Sequence, residues 1–462
     1  MNERLQWLTD VLVSNVGNEQ RRALRLSPRR QFEVDFLVAD SQRTFFDLWL
    51  HRMTGTDVMV PLWHDMIRLT AGVDQGDLFV PCDPTDLEFD EGTFALLMGE
   101  TPFETEKVEI ISSDPAGISI LAELANNWPK GTRIVPLRRA KLSEQTEMGR
   151  ASSRVATISA MFNLVKSSDY DPGIHTGDTY LGLPVITQPS HEDNPNVEYP
   201  WQFESSNNDT GYVYRKSDQG RAMPVQTHIW HLKGRAAKKA FRQFLYRMKG
   251  RRGVVWLPTF ADDLRVVAAS GNRLTVAEVG YSYTGGVSSG RDVLCIKHRA
   301  DALAGVSSSS SIGGSSISES PISSGDEPEH LRKVSVVTTT YRRIVGIDGA
   351  APGHETLILD APLSTFDLRN NIVCFMDVAR FDQDQVEWQH INAADGASVV
   401  KINLRRFRND RVPPLVGSYP IPTATMSDTA CGVDTGGDFG SGGIGDGGIV
   451  YPGGEWWGGG FF

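Results

Sequence analysis

The sequence predicts a mainly β protein: two tandem β-barrel or β-sandwich modules, each with one flanking α-helix. Three observations lead there. Apolar residues alternate at period two in several runs, a strand–helix–strand pattern occurs twice, and each copy closes on another alternating run.

The first copy opens at Pro28. Phe32, Val34, Phe36 and Val38 fall on one face, as in a half-buried strand. A helix follows, with Phe46, Leu50 and Met53 at i, i+4 and i+7. Asp40 or Ser41 suits its N-cap, and Gly55 stands where a C′ glycine stops a helix. A strand through Pro61 comes next, leading into Trp63, His64, Asp65 and Arg68. The run G-I-S-I-L-A-E-L ends at Leu124, Ile134–Val135 mark another apolar run, and Ile158, Ala160, Phe162 and Leu164 alternate in the last strand.

The second copy opens at Pro224 and repeats this order. Phe241, Leu245 and Met248 share a helix face, and Gly250 takes the stop position. Pro258, Asp262 and Arg265 match Pro61, Asp65 and Arg68 at a constant offset, with Phe260 for Trp63. The run E-T-L-I-L-D-A-P-L ends at Leu363, Ile372–Val373 follow, and Val400, Ile402 and Leu404 alternate at the close. The offset widens between the middle and the end of the copies, and the serine-rich stretch at 306–325 lies in that interval. It reads as an exposed flexible insertion. The expected organisation is therefore module one over residues 1–166, an extended linker over 167–208, module two over 209–420 and a glycine-rich tail over 421–462. The linker is rich in Pro, Asp, Asn and Ser, and is expected to pack Trp201 and Phe203 against a neighbour.

Composition narrows the function. A chain of 462 residues has room for two or three cores. A net charge of -11 argues against gripping nucleic acid by counterion release, though not against a channel through which DNA slides. No stretch approaches the ~18 apolar residues that span a bilayer, and the start shows no basic region followed by an apolar run. Cys82, Cys295, Cys374 and Cys431 lie far apart in sequence, so buried or free thiols are expected rather than a disulfide or metal scaffold.

The segments D-Q-G-R-A-M-P-V-Q-T-H-I-W (218–230) and F-R-Q-F-L-Y-R-M-K-G-R-R-G-V-V-W-L-P-T-F-A-D-D-L (241–264), with W-L-T-D-V-L-V-S-N-V-G-N-E-Q-R-R-A-L-R-L-S-P-R-R (7–30), resemble structural proteins of the phage tail tip. The similarity covers both modules. It implies a tail-tube-like module fold and an assembly role in the virion, at the distal tail or baseplate hub, without catalysis. It further implies a homo-oligomeric ring, trimer or hexamer. The ring's neighbours would be the tail tube, tape measure and other baseplate or hub proteins, with DNA passing through the lumen. Such a protein is made in the host cytoplasm.

No catalytic residue, cofactor or metal is expected: no phosphate-binding loop, nucleophile elbow, zinc-protease or redox motif occurs. His228 and His231 lie three apart in a strand, so they point to opposite sides. His64 reads as a surface or interface histidine, and Asp83, Asp86, Asp90 and Glu91 as a solvated acidic loop rather than a calcium site. Asp65, Arg68, Asp262 and Arg265 recur in both copies and are interface candidates. So are Tyr451, Trp456, Trp457, Phe461 and Phe462, aromatic anchors on the glycine-rich tail. The competing reading is a carbohydrate- or receptor-binding module, motivated by ten tryptophans. Such a module would gather its aromatics on one concave face.

Overall fold

The computed structural model describes residues 1–407, apart from 16, 53–54, 102, 144–145, 167–169, 193–194, 208, 210, 218–219, 301–334 and 364–370. The protein is mainly β, with two α-helices among the described residues. These residues form two compact units: one takes Met1–Val58 and what is described from Arg139 onward, the other Met59–Arg138. The larger unit thus draws on both copies of the sequence pattern. The serine-rich insertion and the aromatic tail lie outside the described residues.

The larger unit holds a run of antiparallel strands. In spatial order these are Glu147–Arg150, Val155–Leu164, Arg29–Ala39, Asn2–Gln6, Gln385–His390, Ala397–Arg406, Val225–Lys233 and Val197–Glu198. Period-two patterning explains most of them. Phe32, Val34, Phe36 and Val38 are all buried, as are Ile158, Ala160 and Phe162, and Val400, Ile402 and Leu404. Leu164 is half-buried.

The two helices follow the two long opening strands. α1 spans Asp40–Arg52 and α2 spans Arg235–Met248. In α1 the buried residues are Phe46 and Trp49, with Leu50 half-buried and Met53 outside the described residues. In α2 Leu245 and Met248 are buried, and Phe241 packs on the same core from a partly buried position. Gly55 has φ 79°, as a stop glycine requires. At the end of α2 the left-handed position belongs instead to Lys249 (φ 51°), whose N–H donates to the Leu245 carbonyl. Gly250 follows, also left-handed, with the Asp384 carboxylate and Trp7 where a Cβ would stand. Its role is close approach as much as helix termination.

Beyond α2 an antiparallel meander joins Val266–Ser270, Arg273–Ala277, His354–Leu359, Ser335–Ala351, Val293–Ala300, Asn371–Phe381 and Val255–Pro258. Asn371–Phe381 also pairs with Ala397–Arg406, which ties the meander to the larger sheet. Cys295 and Cys374, far apart in sequence, are direct cross-strand neighbours here. Cys82, Cys295 and Cys374 are buried, and Cys431 lies outside the described residues.

In the smaller unit Ile67–Arg68 lies beside residues 133–134, followed by Phe94–Met98, Thr105–Asp114, Gly117–Ile120 and Phe79–Pro81, all antiparallel. Val80, Leu97, Ile110, Ile118, Ile134 and Val135 form its interior. No helix among the described residues is long and apolar enough to cross a membrane.

Candidate functional site

The opening strand Asn2–Gln6 reads N-E-R-L-Q, and its alternation turns Glu3 and Leu5 inward, both 0% exposed. It is flanked on one side by Arg29–Glu33 and on the other by Gln385–Gln389. A carboxylate in that position costs several kcal/mol unless it is paired and hydrogen-bonded. Three elements supply the partners. Arg30, from the neighbouring strand, donates through Nε to Glu3 Oε1 at 2.7 Å. Arg242, from the inner face of α2, donates through Nη2 to Glu3 Oε2 at 2.8 Å. His390 Nε2 lies 3.0 Å from the same oxygen, and its Nδ1 lies 3.2 Å from Ser398 Oγ.

Burial alone would raise the pKa of Glu3, but Arg242 and Arg30 outweigh it and hold the carboxyl well below its ordinary range. For His390 burial is the larger influence. It pushes the imidazole down to about 4 despite the hydrogen bond to Glu3, so the ring is neutral near pH 7. The Arg242 guanidinium also lies over the Trp388 ring, 5.1 Å from its centroid.

Two further links hold the first two dozen residues to the later part of the chain. Asp384 accepts from the Thr9 N–H and hydroxyl at 2.7 and 2.8 Å and from the Arg251 N–H at 2.9 Å. Glu19 takes two hydrogen bonds from Arg380, both 2.8 Å, in the bidentate geometry that favours arginine. The three groups form a polar seam between the start of the chain and its far strands. Glu3, Arg242 and His390 are all buried.

The predicted site residues lie elsewhere. Asp65 is buried in the 3₁₀ turn Trp63–Asp65, and its Oδ2 accepts the Glu88 N–H at 3.0 Å. Arg68 is exposed and donates to the Gly131 carbonyl at 2.9 Å. Asp262 is exposed and accepts the Val373 N–H at 3.5 Å, and Arg265 is exposed. The two aspartates therefore occupy unlike environments. Beside Asp262, Asp263 accepts the Phe375 N–H at 2.8 Å. Tyr451, Trp456, Trp457, Phe461 and Phe462 lie outside the described residues.

His64 is not at the surface: only 3% of it is exposed. The turn packs it beside Asp65 at 3.7 Å and Glu88 at 4.0 Å. These three present ligand-type atoms within 4.8 Å of one another, of the kind divalent cations take. Arg138 supplies positive charge to the same group, 3.6 Å from Glu88. Of the predicted acidic loop, Asp83, Asp90 and Glu91 are exposed whereas Asp86 is half-buried, and Asp90 pairs with Arg138 at 2.6 Å.

His228 and His231 do face opposite sides: His228 is 1% exposed and His231 is exposed. His228 stacks on Trp230, with centroids 5.3 Å apart. Neither of its ring nitrogens meets a hydrogen-bond partner among the described residues. Burial first, and the charge of Arg406 second, push it down to about 4.

Sequence reasoning missed Glu3, Arg30, Arg242 and His390. A signal existed for two of them. Arg30 sits two residues before Phe32 on the same alternating face, and Arg242 adjoins Phe241 on a helix whose inner face was already marked. A scan against protein-family models finds no match, and a search of curated proteins finds none either.

Proposed function

We propose that the chain is a non-enzymatic structural subunit of a phage tail tip, forming a ring around the DNA channel between the tail tube and the hub or receptor-binding apparatus. One observation carries the reading. A long strand leading into a helix and then a short strand occurs twice, and each time the last strand of the copy pairs antiparallel with its first. On this reading the recurrence reflects tandem tail-tube-like modules, with each copy a small barrel or sandwich. Two modules per chain allow three chains to make a pseudo-sixfold ring, or six chains to stack two layers. The polar seam fits such a role, because within the larger unit it ties the start of the chain to elements of the second copy.

Surface chemistry supports assembly. The linker exposes Tyr199, Trp201 and Phe203, with Tyr212 and Tyr214 close behind them in sequence, and apolar exposure of this kind marks a surface that a partner covers. An acidic chain lets DNA pass without adhering. The tube, tape measure and other baseplate or hub proteins are the partners this implies, and the virion tail tip is its place. Native mass spectrometry with negative-stain imaging tests the proposal. Three or six copies around an open lumen are expected, and a monomer at all concentrations refutes it.

A second reading, a carbohydrate- or receptor-binding module of the tail tip, is favoured by one feature: a concave, aromatic-lined cavity in the larger unit.

A further inference from the structure

Cys295 and Cys374 face each other directly across two antiparallel strands. Opposed residues on such strands keep their Cα atoms about 4.5 or 5.5 Å apart, according to their place in the ladder. Both spacings lie inside the roughly 4.4–6.8 Å that a disulfide bridges. Opposed side chains also share one face of the sheet. Both residues are thiols in the structure, 1% and 0% exposed. Val185, Trp256, Val293 and Met376 pack around them.

The two side chains are already joined by hydrogen bonds. The Cys374 thiol donates to the Cys295 carbonyl at 3.4 Å, and its sulfur accepts from the Cys295 thiol. That second bond makes the pair unequal. It raises the pKa of Cys295, which burial raises further. It lowers that of Cys374 and, with the Phe260 N–H and the charge of Lys297, outweighs burial there. The Lys297 ammonium sits over the Phe260 ring, 4.5 Å from its centroid. The thiolate is the reactive form of cysteine, so Cys374 is the better nucleophile and Cys295 the partner that follows.

We propose that hydrogen peroxide oxidises this pair to a cross-strand disulfide, with Cys374 attacking and Cys295 closing the bridge. The Cys374 thiolate attacks one peroxide oxygen and the O–O bond breaks. The hydroxide released takes the proton that Cys374 gave up and leaves as water. The Cys295 sulfur then attacks the sulfenic acid formed on Cys374. The S–S bond forms, the S–O bond breaks, and the second hydroxide leaves with the Cys295 proton as water. Two thiols are oxidised and one peroxide is reduced to two waters. The serine-rich stretch at 306–325 lies between the two cysteines. The bridge therefore closes a long loop, where a crosslink constrains the unfolded chain most. It also pins Val293–Ala300 to Asn371–Phe381. A reducing cytoplasm keeps the dithiol, and oxidising surroundings convert it. The inference does not depend on the assembly reading: a pair that stays reduced leaves the ring standing, and a monomer leaves the pair standing.

The test treats the native full chain with hydrogen peroxide and maps its tryptic peptides without reductant. Residues 292–297 and 370–380 are expected as the main crosslinked species, two hydrogens lighter than the separate peptides and parted by dithiothreitol. The oxidised chain is expected to melt about 5 °C or more above the reduced one, and dithiothreitol should reverse the rise. Cys295→Ala is expected to strand a sulfenic acid on Cys374, which dimedone labels, whereas Cys374→Ala leaves Cys295 unlabelled. The wild-type map decides the matter even where neither variant folds. Unlinked thiols after prolonged peroxide, or crosslinks spread evenly over the four cysteines, overturn the proposal. So does an oxidised chain that melts no higher than the reduced one, or dimedone on Cys295 and not on Cys374.

Discussion

The strands Arg29–Ala39 and Val225–Lys233 precede the two helices and pair with comparable return strands, yet their interiors differ. The first turns Phe32, Val34 and Phe36 inward. The second turns His228, Trp230 and Leu232 inward. The helices differ likewise. α1 buries Phe46 and Trp49, whereas α2 buries Lys238 and Arg242 among its apolar residues. The first strand also turns Arg30 inward, toward Glu3, so the same local pattern carries a mostly apolar interior in one place and a more polar one in the other. Polar groups are concentrated where the second region meets the start of the chain. This teaches that the strand–helix pattern sets the frame, while the seam sets which surfaces of that frame meet.

The largest effect should come from the seam. Glu3→Ala leaves Arg30 and Arg242 buried without their carboxylate, and a loss of about 3–5 kcal/mol is expected in urea unfolding. A loss under about 1 kcal/mol would show that the seam does not hold the regions together. Next in size is a pH effect. His228 and His390 have folded pKa values of about 4, against roughly 6.5 unfolded. Between those values the unfolded chain binds more protons, so stability must fall as pH drops from about 6.5 to 4. Glu3, held low in the folded state, adds a further loss at lower pH, through the carboxylate range. Melting temperature measured across this range should decline steadily, and a flat profile would count against the buried neutral imidazoles.

The comparison is sharpened by making the second strand resemble the first. His228→Phe replaces an unpartnered buried ring with the residue that holds the matching position, and should stabilise the chain by about 1 kcal/mol at neutral pH. It should also flatten part of the acid limb. A destabilised variant would mean that the space around His228 does not admit the larger ring. The smallest effects belong to Arg68→Ala and Asp262→Ala. Both side chains are exposed, so stability should change by no more than about 0.5 kcal/mol. If they belong to a subunit interface, the native mass distribution should shift while the monomer's melting stays the same.

Much of the frame was legible because alternation and helical spacing are local. Phe32 to Val38, Ile158 to Phe162 and Val400 to Leu404 announce their buried faces within a few residues. The seam was not legible in that way. Asn2–Gln6 is short, mostly polar, and has a single aliphatic residue, so nothing in its own sequence marks it as a strand flanked on both sides. Glu3 and Arg242 read as solvated charges because each partner is remote in sequence. Asp65 matched Asp262 in spacing yet differs in burial, since the Glu88 N–H that donates to it lies within the stretch from Asp83 to Glu91 that read as a solvated acidic loop. Cys295 and Cys374 likewise meet only through a strand pairing that spans the insertion.

The flanking of Asn2–Gln6 also has a consequence in time. One neighbour, Arg29–Glu33, leaves the ribosome soon after it, but the other, Gln385–Gln389, emerges only after most of the chain has been made. Through synthesis this first strand must wait with one row of amides and carbonyls uncovered. A strand made so long before one of its two partners is thus among the last to be finished, and premature release of the nascent chain would leave that edge open to a stranger.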